Sequence, residues 1–264
     1  MAINDISLTA GMRANLVSLQ GTVDLLNRTQ QRLSTGKAVN SALDNPTAFF
    51  AAQALTGRAS DLAALKDGMG QAVQSINAAN SGITGITNLV EAAKGLAQSA
   101  YTSSDTSTLD TQYSDLMTQL DALAGDSGYQ GTNLLNGDTL HVKFEGTTLD
   151  VSGTSSKSSD LGIDTESFAS AGTIDKAISD LNAALGTLRT TSAGLSANLS
   201  VIQTRQDFTT SMINVLTTGS DSLTNADMNQ EGANMLMLQT RQALGTTALS
   251  LSSQAAQSVL RLFG

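Results

Sequence analysis

The 264-residue sequence has no cysteine, no tryptophan, a single proline and few charged residues. Without cysteine the chain forms no disulfide, has no thiolate nucleophile and lacks the ligands of cysteine-based zinc or iron–sulfur sites. Charged residues make up 14% of the chain and aromatic residues 3%, whereas ordinary globular domains have about 25% charged residues. This composition leaves few bulky side chains for a thick core and almost nothing that interrupts a helix.

Charge and hydropathy exclude further classes of protein. The chain carries 14 Lys and Arg against 23 Asp and Glu, for a formal net charge of −9, which argues against a nucleic-acid-binding protein. No apolar run reaches the roughly 18 residues of a membrane span. The amino-terminal residues lack a basic region followed by an apolar one, so we expect no cleavable secretory signal.

Apolar residues recur at alternating steps of three and four along five stretches of the chain. This spacing places them on one side of a helix and is typical of coiled coils. The most regular series has eleven apolar positions between Leu62 and Ala97, and the longest runs from Ile174 to Leu216. The series at the two ends predict a coiled-coil and polymerisation seam, formed by Met12, Leu16, Leu19, Val23, Leu26, Leu33, Met237, Leu244, Leu251 and Leu262.

Two local signals break the helical pattern. Asp44, Asn45 and Pro46 fit a helix start, with Asn45 as N-cap and Pro46 at the first helical position, although a hinge between two parts of the chain fits equally well. Residues 140–144 alternate with period two, residues 145–148 form a turn, and residues 149–151 return, which predicts a β-hairpin near 139–151. We read residues 152–160 as an exposed polar loop, either plain or O-glycosylated.

The sequence therefore predicts a mainly α fold, a long coiled-coil helical rod with a small β-hairpin. Long thin helices have much surface and little interior, and the series at the two ends include Gln, Arg, Ser and Ala. We expect these ends to bury too little apolar area to fold alone, so that their ordering is coupled to assembly with other subunits.

Few residues could support catalysis or bind a metal. His141 is the sole histidine and falls on a predicted strand, without the cluster of partners that a metal or general-base site needs. Asp61, Asp67 and Glu91 are best read as solvated helix faces or intersubunit contacts. No nucleophile elbow, phosphate-binding loop or zinc-binding helix is recognisable. We expect that the protein is not an enzyme and that it binds no metal ion and no cofactor.

Three segments resemble those of bacterial flagellin, the subunit of the flagellar filament. Residues 25–42, LLNRTQQRLSTGKAVNSA, are similar to the family's RLSSGLRINSA. Residues 129–135, YQGTNLL, are similar to FNGxxLL, and residues 254–262, QAAQSVLRL, are similar to the ending QANQxPQxVLxLL without its proline. The three segments stand in the family's order, and the resemblance covers nearly the whole chain.

The resemblance implies a domain organisation. Residues 1–42 with 221–264 would pair as an inner terminal coiled-coil domain, and residues 43–220 would form a helical rod domain. The outer domains of larger flagellins would be absent, since only residues around 137–172 stand in their place.

The resemblance also implies a function. The chain would be a filament subunit that leaves the cell unfolded, polymerises with itself at the distal tip and serves motility. Its other partners would be an export chaperone, the filament cap and hook-junction proteins. A hook–filament junction protein and a non-flagellar coiled-coil stalk remain as alternatives.

One segment departs from the family. Many flagellins carry RVRELAVQSA on the second helix, a face that an innate immune receptor recognises. Here the aligned residues 91–100 read EAAKGLAQSA, so Glu91 replaces an arginine and Gly95 replaces the usual leucine. Because a carboxylate stands where a guanidinium would make its contact, we expect that receptor to recognise this chain poorly.

Overall fold

The computed structural model describes residues 10–164 and 166–263, with side chains described through residue 258. Long helices dominate it, which confirms the predicted mainly α fold with a small β-hairpin. In chain order the elements are α1 (Ala10–Thr35), α2 (Pro46–Ala100), α3 (Thr106–Asp126), a 3-10 turn (Leu134–Asn136), β1 (Thr139–Lys143), β2 (Thr148–Ser152), α4 (Ser158–Leu161), α5 (Ala171–Thr224) and α6 (Met228–Phe263).

The chain divides into two compact units, Ala59–Asn214 and the combination of Met1–Arg58 with Val215–Gly264. We call the first the middle unit and the second the terminal unit. The division that the sequence predicts, at residues 42 and 221, stays a prediction.

The core of the middle unit follows the predicted periodicity. Of the eleven apolar positions between Leu62 and Ala97, ten are buried and Leu65 is half-buried against the same core. Tyr113 of α3 packs edge-on against Phe168 with ring centroids 5.4 Å apart, and its hydroxyl donates to the Ile163 carbonyl at 2.7 Å. Burial raises the pKa of the Tyr113 phenol, because its ionised form would lose hydration.

Strands β1 and β2 form an antiparallel hairpin in which Leu140 pairs with Val151 and Val142 with Leu149. Val142 and Val151 are buried, whereas the alternate residues point to solvent, as the period-two pattern predicts.

The prediction of an exposed loop at residues 152–160 is wrong in part. Ser156 and Ser158 are buried, and Ser158 begins the short helix α4. Asp121 of α3 accepts hydrogen bonds from the Ser158 amide at 2.7 Å and its hydroxyl at 3.0 Å. This partner lies 37 residues away in sequence, so local polarity could not reveal it.

Candidate interaction surface of the terminal helices

Helices α1 and α6 of the terminal unit pack against each other in antiparallel directions. On α1, the predicted seam residue Met12 is buried at 7% exposure. The other predicted seam positions of α1 are half-buried, and they are Leu16, Leu19, Val23, Leu26 and Leu33. The sequence pattern thus identifies the face of α1 that is turned away from solvent in a single chain.

The predicted residues of α6 are placed differently. Met237, Leu244 and Leu251 are 45%, 66% and 62% exposed. The contact with α1 is made one position later along the helix, where Leu238 is 4% exposed and a Cβ on Gly245 would lie 3.0 Å from Leu19 Cδ1. A step of one residue rotates a helical position by about 100°, so the three predicted residues lie outside the contact of α6 with α1.

Small residues on the inward side of α6 explain this rotation. Gly245, Ala248 and Ser252 follow Leu238 at coiled-coil spacing and are half-buried. Small side chains let the leucines of α1 approach the α6 backbone closely, as the position of Leu19 over Gly245 shows. The side chain of the last predicted seam residue, Leu262, lies outside the described residues.

Met237, Leu244 and Leu251 together form an exposed apolar stripe, which we call the outer stripe. Successive members are seven residues apart and therefore share one side of α6, over a length of about 21 Å at 1.5 Å per residue. Leu236, at 68% exposure, lies beside it. An exposed apolar row of this size is typical of a surface that contacts another protein.

Sequence reasoning missed other exposed apolar residues of the terminal unit. Val17 and Leu25 of α1 are 67% and 49% exposed, and Leu43, after α1, is 96% exposed. None belongs to a predicted heptad series. The sequence could have indicated them, because each is a large aliphatic residue that lies outside the coiled-coil series.

The predicted hinge or cap lies where α2 begins. Pro46 is the first residue of α2, and Asn45 Oδ1 accepts a hydrogen bond from the Ala48 amide at 3.1 Å. This geometry satisfies an amide that the first turn of a helix leaves without a partner. A hinge role for these residues stays a prediction.

Asp44 stabilises the turn before this cap. Its Oδ2 accepts hydrogen bonds from the amides of Asn40 and Ser41, at 3.1 and 3.0 Å, and from the Ser41 hydroxyl at 3.1 Å. These bonds, chiefly the one from the Asn40 amide, hold the pKa of Asp44 below its ordinary value.

Glu91 and Gly95 are exposed on α2, and a side chain at Gly95 would meet nothing within 4 Å. Between them Lys94 Nζ donates to Asn182 Oδ1 of α5 at 2.7 Å. Poor recognition of this face by the immune receptor stays a prediction.

Metal ligands, membrane-spanning helices and the single histidine are the remaining candidates for a site. In residues 10–164 and 166–263, no group of three or more histidines, cysteines or carboxylates is arranged to hold a metal ion. Within the same residues, no helix combines the length and apolarity needed to cross a bilayer. His141 Nδ1 lies 2.6 Å from Asp150 Oδ1 on the paired strand, with both side chains mostly exposed, a setting in which an ion pair adds little stability.

The chain is similar to known proteins over nearly its whole length. Residues 3–139 match the family model of the bacterial flagellin N-terminal helical region. The chain is 31% identical over 275 residues to flagellin FljK of Caulobacter vibrioides, with all of both chains covered. It is 29% identical over 279 residues to a flagellin of Brucella melitensis, which covers 98% of this chain and 97% of that one. The crystal structure of Bacillus cereus flagellin aligns with a TM-score of 0.49 at 18% identity, over 54% of this chain and 88% of that chain.

Proposed function

This chain belongs to the bacterial flagellin family and is a structural subunit of the flagellar filament, and we propose that its terminal helices provide the contacts through which copies polymerise. The observation that carries the proposal is the exposure of the outer stripe. The relatives named above are flagellins, so neither a hook–filament junction protein nor a coiled-coil stalk is favoured.

The two halves of the predicted seam have different roles in this proposal. The α1 residues, from Met12 to Leu33, hold α1 against α6 within a chain. Met237, Leu244 and Leu251 contact neighbouring copies, and Leu262 continues their series. Covering a leucine or methionine side chain contributes about 1.5–3 kcal/mol, so the stripe supplies a substantial part of the adhesion between subunits.

Growth of a filament restricts what the stripe can meet on the next copy. If the stripe met the same stripe of a second copy, the two-fold contact would close as a dimer, so filament growth requires it to meet a different patch. A contact between two different patches is heterologous, and a heterologous contact that does not close into a ring generates an open helical filament.

The proposal includes coupling between assembly and order in the terminal helices. Beyond Leu238, α6 contributes the small residues Gly245, Ala248 and Ser252 to its contact with α1, and these bury little apolar area. The larger side chains of the outer stripe become covered only when another copy docks. Assembly therefore stabilises the folded terminal helices by mass action.

The domain organisation is part of the proposal. Residues 1–42 with 221–264 form the inner part of the filament, and residues 43–220 form the surrounding rod. The packing of α1 on α6 and the location of the hairpin in the other compact unit support this division. The short stretch around 137–172 takes the place of outer domains.

Location and partners are proposed from the family. Flagellar filaments are extracellular, so the chain is secreted, and we infer that it travels unfolded and adds at the distal tip to serve motility. An export chaperone, the filament cap and hook-junction proteins are its expected partners. The absence of cysteine suits such a route, because no disulfide has to form after export.

Seeded growth tests the role of the outer stripe. Purified monomer is mixed with short filament seeds and followed by electron microscopy, with Leu244→Asp compared against Gln239→Asp. Both variants place a carboxylate on an exposed position of α6, but Gln239 lies on the side away from the stripe. We expect Leu244→Asp to stop elongation and Gln239→Asp to allow it. Normal growth of Leu244→Asp would contradict the proposed contact.

A further inference from the structure

Main-chain hydrogen bonds join the two segments that border the terminal helices. The Thr224 carbonyl accepts from the amides of Ala38 at 2.7 Å and Val39 at 3.2 Å, and the Ala226 amide donates to the Gly36 carbonyl at 2.9 Å. We call residues 36–39 and 224–226 the clasp. Gly36 ends α1 with φ at +70°, a conformation that favours glycine and turns the chain into the clasp.

An ion pair between a half-buried arginine and a buried glutamate lies beside the clasp. Arg32 Nη1, in the last turn of α1, is 2.9 Å from Glu231 Oε1, in the first turn of α6. The Glu231 side chain is 9% exposed and that of Arg32 is 29% exposed. Asp227 accepts hydrogen bonds from the amides of Asn229 and Gln230, at 2.9 and 3.1 Å, and so fixes where α6 begins.

The remaining contact between α1 and α6 specifies their register weakly. Leu19 lies over Gly245, and a slide of one heptad would place it opposite Leu238 or Ser252, either of which can face an aliphatic side chain. An apolar seam that repeats every seven residues permits such slides, and in coiled coils a single polar or charged group often selects one register.

The ion pair does not tolerate the same slide. Glu231 is the single acidic residue in the sequence of α6. A shift of one heptad along α1 would place it opposite Leu25 and separate it from the Arg32 guanidinium. A carboxylate buried without its charged partner is strongly unfavourable, so the pair distinguishes the observed register from its neighbours where the apolar contact does not.

We propose that Arg32 and Glu231 are positioning residues that, together with the clasp, fix the register of α1 on α6. In that register Leu19 lies over Gly245, and Met237, Leu244 and Leu251 are left facing outward. The outward presentation of the stripe to a second copy rests on the proposed function. The register itself is a property of one chain and can be measured separately.

Disulfide mapping tests the register, because the sequence contains no cysteine of its own. The pair Leu19→Cys with Gly245→Cys reports the observed register. The pairs Leu19→Cys with Leu238→Cys and Leu19→Cys with Ser252→Cys report slides of one heptad in the two directions. Each pair is made with Arg32 intact, with Arg32→Gln, and with Arg28→Gln as a control that removes an exposed arginine from the same helix.

The variants are co-assembled as a minor fraction with the parent chain on filament seeds, oxidised mildly, and the cross-links quantified by peptide mass spectrometry. With Arg32 or with Arg28→Gln, we expect the 19–245 cross-link to predominate. With Arg32→Gln, we expect that cross-link to fall several-fold and the 19–238 or 19–252 cross-link to rise. Unchanged cross-linking in Arg32→Gln would overturn the proposal.

The exchanged pair Arg32→Glu with Glu231→Arg distinguishes a change of register from a general loss of stability. It keeps two opposite charges in contact, so we expect it to restore incorporation into filaments and the 19–245 cross-link. If Arg32→Gln is excluded from filaments and the exchanged pair is admitted, the proposal is supported. Exclusion of both would overturn it. Failure of the parent chain to elongate seeds would instead contradict the proposed function, and the cross-links of the monomer would then report the register.

Discussion

The middle and terminal units use their apolar residues in opposite ways. In the middle unit, residues such as Ile76, Ile86 and Leu120 are 0% exposed and pack into one core. In α1 and α6 the buried residues among those described are Met12, Thr29, Glu231 and Leu238, and two of these four are polar. The middle unit therefore buries its apolar side chains within one chain, whereas the terminal helices leave many of theirs exposed.

Deleting residues 1–30 should give the largest effect. The deletion removes most of α1 and should abolish seeded elongation, because α6 then loses the helix that it packs against within the chain. The middle unit contains none of these residues and should stay folded. Electron microscopy with seeds and the circular dichroism melting curve of the monomer test the two statements. Filaments of normal length would contradict the first statement, and loss of the melting transition would contradict the second.

Leucine-to-alanine substitutions, one in each unit, should measure how differently the two units depend on a single leucine. Leu120 is 0% exposed and Leu244 is 66% exposed. Leu120→Ala leaves a cavity and should lower the free energy of unfolding of the monomer by about 2–5 kcal/mol. Leu244→Ala should change it by less than about 0.5 kcal/mol, as is usual for surface positions. Urea unfolding measures both, and equal losses would show that the two units do not differ in this way.

Two glycines of α2 should respond with opposite signs. A Cβ at Gly82 would lie 2.6 Å from Ser127 Cβ, where α3 ends against α2, whereas one at Gly95 would meet nothing within 4 Å. Gly82→Ala should lower the free energy of unfolding by about 1–3 kcal/mol through overpacking. Gly95→Ala should raise it by about 0.5–1 kcal/mol, because alanine favours the helix. Thermal unfolding of the monomers distinguishes the signs.

Acid should produce the smallest effect, which Asp44 of the terminal unit illustrates. The pKa of Asp44 is lower in the folded chain than its ordinary value of 3.8. Its contribution to stability is therefore present above the unfolded pKa and is lost as the pH falls through the folded one. Asp44→Asn should be slightly less stable at pH 6 and should approach the parent chain as the pH falls below the ordinary pKa of an aspartate. A difference that grew towards low pH would have the wrong sign.

The sequence could predict what depends on local periodicity. The series from Leu62 to Ala97 identifies the buried side of α2, and the alternation around Val142 identifies the hairpin, because each pattern reflects one buried face. Pro46 begins α2 as predicted, since its missing amide proton is harmless in a first turn.

What the sequence could not predict depends on distant partners. The contacts of Asp121 with Ser158 and of Arg32 with Glu231 join residues 37 and 199 positions apart. The side of α6 that contacts α1 was missed for a related reason. This contact uses Gly245 rather than the larger Leu244, and a pattern that follows apolar size does not find a contact made at a glycine.

The clasp has a mechanical consequence for a filament under load. Residues 36–45 connect α1 to α2, and as a free chain these ten residues could stretch to about 35 Å. Because Gly36, Ala38 and Val39 are bonded to Thr224 and Ala226, tension on α1 passes into both polypeptide segments at once. Residues 36–39 can lengthen only after those bonds break, so this part of the connection resists extension as a stiff coupling rather than a slack tether.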